Sequence, residues 1–91
     1  MFTEIFCIIT GKVQRVGYRD FVVRTAKECG LTGWVKNRDD GSVEVLAQGY
    51  PDNLKEAIEA FNTGSVLSKV ESVAVDWRTP HTQCDDFKVI A

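Results

Sequence analysis

Four residues near the middle of the chain, Arg38, Asp39, Asp40 and Gly41, lie between two stretches with strand character, Trp34 to Asn37 and Ser42 to Gln48. In the second stretch Val43, Val45 and Ala47 alternate with Ser42, Glu44 and Leu46, and Asp-Gly ahead of such an alternation predicts a tight hairpin. A central hairpin forces antiparallel pairing, so whatever sheet the chain builds cannot be all parallel.

The flanking segments fill in the rest. Phe2 to Thr10 is a nearly continuous apolar and β-branched run, too short for a stable helix, and predicts a strand inside a sheet. Gly11 to Gly17 breaks that pattern. From about Arg19 the apolar positions Phe21, Val22, Thr25, Ala26 and Cys29 follow helical spacing, and Gly30 with Leu31 predicts the stop. Pro51, Asp52 and Asn53 supply helix-start chemistry, and Asn53 with Glu56 predicts a capping box. Leu54, Ala57, Ile58 and Phe61 then mark one apolar face before Gly64, a helix of about two to three turns. After a loop from Thr63 to Lys69, Val70 to Trp77 alternates Val70, Ser72, Ala74 and Asp76 against Glu71, Val73, Val75 and Trp77. Thr79 to Asp86 is polar and predicts a mobile loop, and Phe87 to Ile90 a short last strand.

The order is β-α-β-β-α-β with a terminal extra strand. Two helices with one apolar face each cover one face of a mainly antiparallel sheet, so the expected fold is α+β, a two-layer ferredoxin-like sandwich of split-βαβ type with a short fifth strand. Ninety-one residues make one small domain over 1–91, because a chain this short cannot be divided into two cores.

Charge and residue counts narrow the function. Eleven Lys and Arg against thirteen Asp and Glu give a net charge of -2, which offers no global attraction to a phosphate polymer or an anionic membrane. No Lys/Arg-Gly-Phe/Tyr-Gly/Ala-Phe motif marks an RNA-binding strand, so Phe6, Trp34, Phe61 and Trp77 are expected in the core or at its edge. No apolar run reaches the length of a membrane span, and the first residues, with Glu4 and no basic segment, predict a cytoplasmic chain. Cys7, Cys29 and Cys84 are odd in number and lack CxxC spacing, which points to reduced, buried thiols, although one pair can still meet in space. His81 is the only histidine. Most triads and His-rich metal sites are thereby excluded, and His81, Cys84, Asp85 and Asp86 are expected to form a solvated turn rather than a metal cluster.

The seven residues Gly11 to Gly17 lead into Tyr18 and Arg19 at a helix start, where unpaired N–H groups and a partial positive charge favour an anion. An Arg there gains nothing from the helix dipole unless an anion arrives for its planar fork to grip, and Asp20 opposes that binding unless it turns away to solvent. No Gly-Lys-Ser/Thr follows, so this is not a nucleotide-binding Walker loop. On the loop alone two readings stand: a solvated Arg19 on a tight connection, or an anion cradle. Asn37, at the end of the strand after the first helix, is the candidate second group, able to orient a water by donating and accepting at once. Its other reading is as a turn residue ahead of the hairpin.

The stretch Gly11-Lys12-Val13-Gln14-Arg15-Val16-Gly17-Tyr18-Arg19, with Gly30-Leu31-Thr32-Gly33-Trp34-Val35-Lys36-Asn37 and Asp40-Gly41-Ser42-Val43-Glu44, resembles the acylphosphatase family over essentially the whole chain. The resemblance implies a ferredoxin-like sandwich and hydrolysis of an acyl phosphate to carboxylate and inorganic phosphate without a metal cofactor. It implies a phosphate-binding loop of Gln14, Arg15, Val16, Gly17, Tyr18 and Arg19, with Arg19 catalytic and Asn37 positioning the attacking water. At Arg15 the family pattern has Gly. A positive φ there would cost about 1 kcal/mol with a Cβ present, so a strained or shifted loop is expected, with Arg15 either adding charge at the mouth of the site or facing solvent.

An Arg, a ring of amides and an Asn supply phosphate binding, water positioning and charge stabilisation, but no general acid. A phosphate monoester must expel a poor alkoxide, whereas an acyl phosphate expels a carboxylate that leaves unprotonated, so this set suffices for the activated bond. The expected partner is therefore a small acyl phosphate, with no nucleic acid, no membrane and no cofactor, and the chain is expected to act as a monomer. The alternative is a module of the same fold that binds phosphate or another anion without turning it over.

Overall fold

The computed structural model describes residues 2–90. The elements are β1 (Thr3–Lys12), α1 (Tyr18–Glu28), β2 (Thr32–Asn37), β3 (Val43–Gly49), α2 (Pro51–Thr63), β4 (Lys69–Arg78) and β5 (Phe87–Val89). The predicted hairpin forms between β2 and β3, closed by Arg38 N–H donating to Ser42 O at 2.8 Å and Gly41 N–H to Arg38 O at 3.2 Å. Around it the sheet takes the order β4-β1-β3-β2-β5. All neighbours are antiparallel except β2 and β5, which run parallel. Both helices lie on one side, giving the expected α+β ferredoxin-like sandwich with its short fifth strand.

The core is the helix-side half of each alternation. Ile5, Cys7 and Ile9 of β1, Val35 of β2, and Val43, Val45 and Ala47 of β3 meet Val22 and Ala26 of α1 and Leu54, Ala57 and Phe61 of α2, all fully buried. Burying a Leu, Ile, Val or Phe contributes about 1.5–3 kcal/mol each, which makes this register hard to shift. On the other side Phe6, Ile8, Trp34 and Leu46 are only half-buried. Phe6 and Trp34 stack edge to face at 6.4 Å, and the Arg78 guanidinium sits 4.7 Å from the Phe6 ring. Of the four aromatics expected in or beside the core, Phe61 is there, Phe6 and Trp34 sit on the open face, and Trp77 is 44% exposed on the edge strand β4.

Several boundaries and contacts differ from the sequence reading. β1 continues two residues past Thr10, because Gly11 and Lys12 pair with Val70 and Lys69 after a register shift that leaves Glu71 unopposed. Gly11 has φ 121°, and a Cβ there would run into the Lys69 carbonyl, so only glycine fits this crossing. The bulge also reverses the alternation of β4. Val70 joins Val73 and Val75 against the core instead of following Ser72 outward.

α1 begins at Tyr18 and ends in a Schellman motif, with Gly30 N–H donating to Lys27 O at 3.1 Å and Leu31 N–H to Ala26 O at 2.8 Å. α2 spans 13 residues, longer than expected, and its capping box does not form: Tyr50 is the N-cap, extended and without a side-chain bond, and Pro51 is the first helical residue. Proline there needs no N–H partner and leaves Asn53 inside the first turn. The segment between β4 and β5, expected to be mobile, is tied down. Gln48 Nε2 donates to Thr82 O at 2.6 Å, Cys84 N–H to Gln48 Oε1 at 2.9 Å, and Gly33 N–H to Asp86 O at 2.8 Å. All three cysteines are free, Cys7 buried and Cys29 and Cys84 partly so. Among the described residues no helix is long and apolar enough to cross a membrane.

Candidate active site

The loop from β1 to α1 is shaped by two left-handed residues. Arg15 has φ 63°, the one non-glycine residue with positive φ among those described, and Gly17 has φ 76°. Buried Val13 anchors the start of the loop, and Val16 packs against the core between the two turns. Left-handed residues spaced this way turn peptide N–H groups toward one side, the geometry of an anion-binding nest. The positive φ expected to be costly at Arg15 is thus kept, and the loop carries the strain.

Gly17 is the N-cap of α1, with no side-chain cap, and no atom lies within 4 Å of where its Cβ would be. No side chain caps the first amides of α1. Arg15 and Arg19 are exposed, and with Val13, Gly17, Tyr18, Asp20 and Val89 they line a cleft of about 180 Å³. That is below the usual range for drug-sized ligands and in keeping with a small anion. Asp20 is exposed and is among the residues that line the cleft, and among the described residues it forms no ion pair with Arg15 or Arg19. Val89 of β5 supplies a wall that no pattern in the sequence announces.

Two of the expected loop residues act differently from a substrate ligand. The Tyr18 ring is buried and its hydroxyl donates to Phe61 O at 2.8 Å, fastening α1 to the end of α2, so only its backbone faces the loop. Burial, with Cys7 nearby, raises its phenol well above the usual range. Gln14 spends its amide on the hairpin, with Nε2 donating to Arg38 O at 2.8 Å and Ser42 O at 2.9 Å. The loop is thereby clamped to the two residues that bracket the β2–β3 turn.

Asn37 ends β2 opposite Val43, on the helix side of the sheet. Its Oδ1 is buried and accepts no hydrogen bond from the described residues. The turn it precedes is held by Asp40, whose Oδ1 accepts from Ser42 N–H at 3.0 Å and Ser42 Oγ at 2.5 Å. Those bonds, with Arg38 close by, hold the Asp40 carboxyl below its usual range. Arg38 in turn is shared between Asp40 Oδ2 at 3.7 Å and Glu44 Oε1 at 3.6 Å. Asn37 is thus not needed as a turn-capping side chain. It lines a shallow concavity with Lys36, Arg38, Asp39, Asp40 and Glu44, and Gln14 of the loop bonds the Arg38 carbonyl beside it. His81 is elsewhere, on the open face of the sheet beside Glu4, Trp34 and Gln48.

Comparison with known proteins matches this arrangement to one family. The acylphosphatase family model matches residues 5–89. The acylphosphatase of Salinibacter ruber is 44% identical over 81 residues, 89% of this chain and 85% of that one. That of Bacillus subtilis is 50% identical over 68 residues, 75% of each. The crystal structure of acylphosphatase from Bacillus subtilis superposes with a TM-score of 0.95 at 40% identity over the full length of both chains. An acylphosphatase structure from Coxiella burnetii gives 0.92 at 35% identity, covering 98% of this chain and 93% of that one. Since the likeness takes in the sheet, both helices and the loop between them, at identities far above those of a shared fold alone, the chain belongs to the acylphosphatase family.

Proposed function

We propose that this chain hydrolyses small acyl phosphates with Arg19 and the Gln14–Arg19 loop holding the phosphate and Asn37 positioning the attacking water. The acylphosphatase reaction itself follows from the family. The assignment of roles rests on one observation above the others: Asn37 Oδ1 is buried without a partner while Asp40 carries the turn. A buried acceptor left unpaired costs about 1–3 kcal/mol, and a water donating to it recovers that cost.

Chemistry then follows from charge. The amides at the start of α1 and the Arg19 fork take the phosphoryl oxygens, hold the group in line for attack and offset its negative charge. The water accepts from the Asn37 amide and donates to its carbonyl, which aims an oxygen lone pair at phosphorus. A bond forms from that oxygen to phosphorus as the bond from phosphorus to the acyl oxygen breaks. The electron pair leaves on a carboxylate, which needs no proton. The water's proton passes to a phosphoryl oxygen, since His81 sits on the other face and the carboxylate in the cleft, Asp20, flanks Arg19 rather than Asn37.

The same proposal takes residues 1–91 as one domain acting as a monomer in the cytoplasm, and sedimentation at twice 10.2 kDa would overturn the monomer. The roles are tested by benzoyl phosphate hydrolysis in EDTA. Arg19→Ala should lose both phosphate affinity and turnover, whereas Asn37→Ala should keep phosphate binding and lose turnover. Full turnover in the Asn37 variant would remove the water-positioning role. A folded parent that binds phosphate without hydrolysing the substrate would make the chain a non-catalytic anion-binding module.

A further inference from the structure

Arg15 stands out in two independent ways. It holds a left-handed backbone with φ 63°, a conformation that costs about 1 kcal/mol for a residue with a Cβ, and it is an exposed residue lining the same cleft as Arg19. Strain of this kind persists where the surrounding structure imposes it, and here Gln14 on one side and Val16 on the other are both pinned. The side chain is therefore presented from a rigid position and is not an arm on a loose loop.

The charges in the cleft give this a purpose. Arg19 and Asp20 offset one another in formal charge, so without Arg15 a dianionic phosphate would meet a neutral cleft on a chain of net charge -2. Among the described residues neither Arg15 nor Arg19 lies within ion-pair distance of a carboxylate. Arg19 and the amides of α1 suffice for one phosphoryl group. A second planar fork at the mouth is left with its donors free. Val13 and Val89 line the same cleft and offer apolar wall to a short carbon chain.

We propose that the Arg15 guanidinium binds a second anionic group on the acyl portion of the substrate, so that acyl phosphates bearing a distal carboxylate are preferred over those ending in a neutral group. Arg15 is a specificity-determining residue in this scheme, and the breaking bond remains with Arg19 and Asn37. The inference rests on the role of the loop proposed above.

The test compares kcat/KM for benzoyl phosphate with that for its 3- and 4-carboxy derivatives, in the parent, Arg15→Gln and Arg15→Gly. Glutamine keeps the Cβ and its strain, and glycine relieves it, while both remove the charge. The parent is expected to favour at least one carboxylated substrate, and that preference should fall by about fivefold or more in both variants, mainly through KM. A preference unchanged in both variants, or none in the parent, overturns the proposal. A parent that hydrolyses none of the three refutes the reading of the site itself, which keeps the two failures apart.

Discussion

Replacing Gln14 tests whether the clamp between loop and hairpin is what aligns the two halves of the site. Gln14→Ala removes two hydrogen bonds from Nε2, at 2.8 and 2.9 Å. Neither carbonyl is orphaned, because Arg38 O still accepts from Gly41 N–H and Ser42 O from Arg38 N–H. The loss therefore falls in the lower part of the usual range, about 1–2 kcal/mol in all. For a domain of this size that lowers Tm by about 5–15 °C. Gln14→Glu is nearly isosteric but turns a carboxylate oxygen onto those carbonyls, costing about 1–2 kcal/mol beyond alanine at neutral pH. The introduced carboxyl is stabilised by protonation, so its folded pKa lies above the unfolded value of about 4.3. What the protonated form contributes is present below that value and lost as pH rises through the folded pKa. Urea unfolding at pH 4 and pH 7 should therefore show the gap between parent and glutamate variant widening with pH. At 25 °C kcat/KM of the alanine variant should fall more than about tenfold while the protein remains folded, as expected of a misaligned site. Alanine and glutamate variants equally stable at both pH values, with full activity, would refute the clamp.

Other perturbations follow from single contacts. Tyr18→Phe leaves the Phe61 carbonyl without its donor in a buried setting and should cost about 1–3 kcal/mol by urea denaturation. Gly33→Ala would drive a Cβ into the Leu46 carbonyl of the neighbouring strand, and the variant is expected to lose about 3 kcal/mol or more, or to be recovered only as insoluble protein. Burial pushes the Cys7 thiol from 9.0 up to about 12, so a thiol reagent at pH 8 should label only Cys29 and Cys84 in the native protein and all three cysteines in urea. Because the unfolded chain ionises Cys7 first, the stability held by its neutral form is intact below about pH 9 and declines from there toward 12, visible as a falling Tm.

Much of this molecule is written in local chemistry. The Asp-Gly turn, the alternation of β3 and the apolar faces of both helices each specify their element with residues a few positions apart, so they are legible without tertiary knowledge. What was not legible depends on residues far apart in sequence. Val70 changes face because Gly11, nearly 60 positions away, lets two backbones cross closely enough to force a bulge. The β4–β5 segment looks like a free loop by composition, yet Gln48 on a different strand holds it at both ends of its own amide. Asn53 has the chemistry of a cap, but Pro51 starts the helix earlier and removes the occasion for one.

The site divides along the same line. Arg19 and Asn37 are named by motif, and their neighbours in the motif supply the φ values and turn bonds that a reader of sequence can anticipate. The relation between them is not so encoded, because the hairpin turn is tied to the β1–α1 loop by Gln14, whose amide looks in sequence like one more phosphate donor. Its use as a clamp makes the loop a rigid bracket. A rigid bracket can impose a left-handed backbone on whatever residue occupies position 15, glycine or not. Arginine there keeps the bracket's shape at a cost of about 1 kcal/mol, and in exchange places a second guanidinium at the mouth of a cleft that Asp20 would otherwise leave neutral. A departure that reads in sequence as damage to the loop therefore reads in structure as a charge added to an intact one.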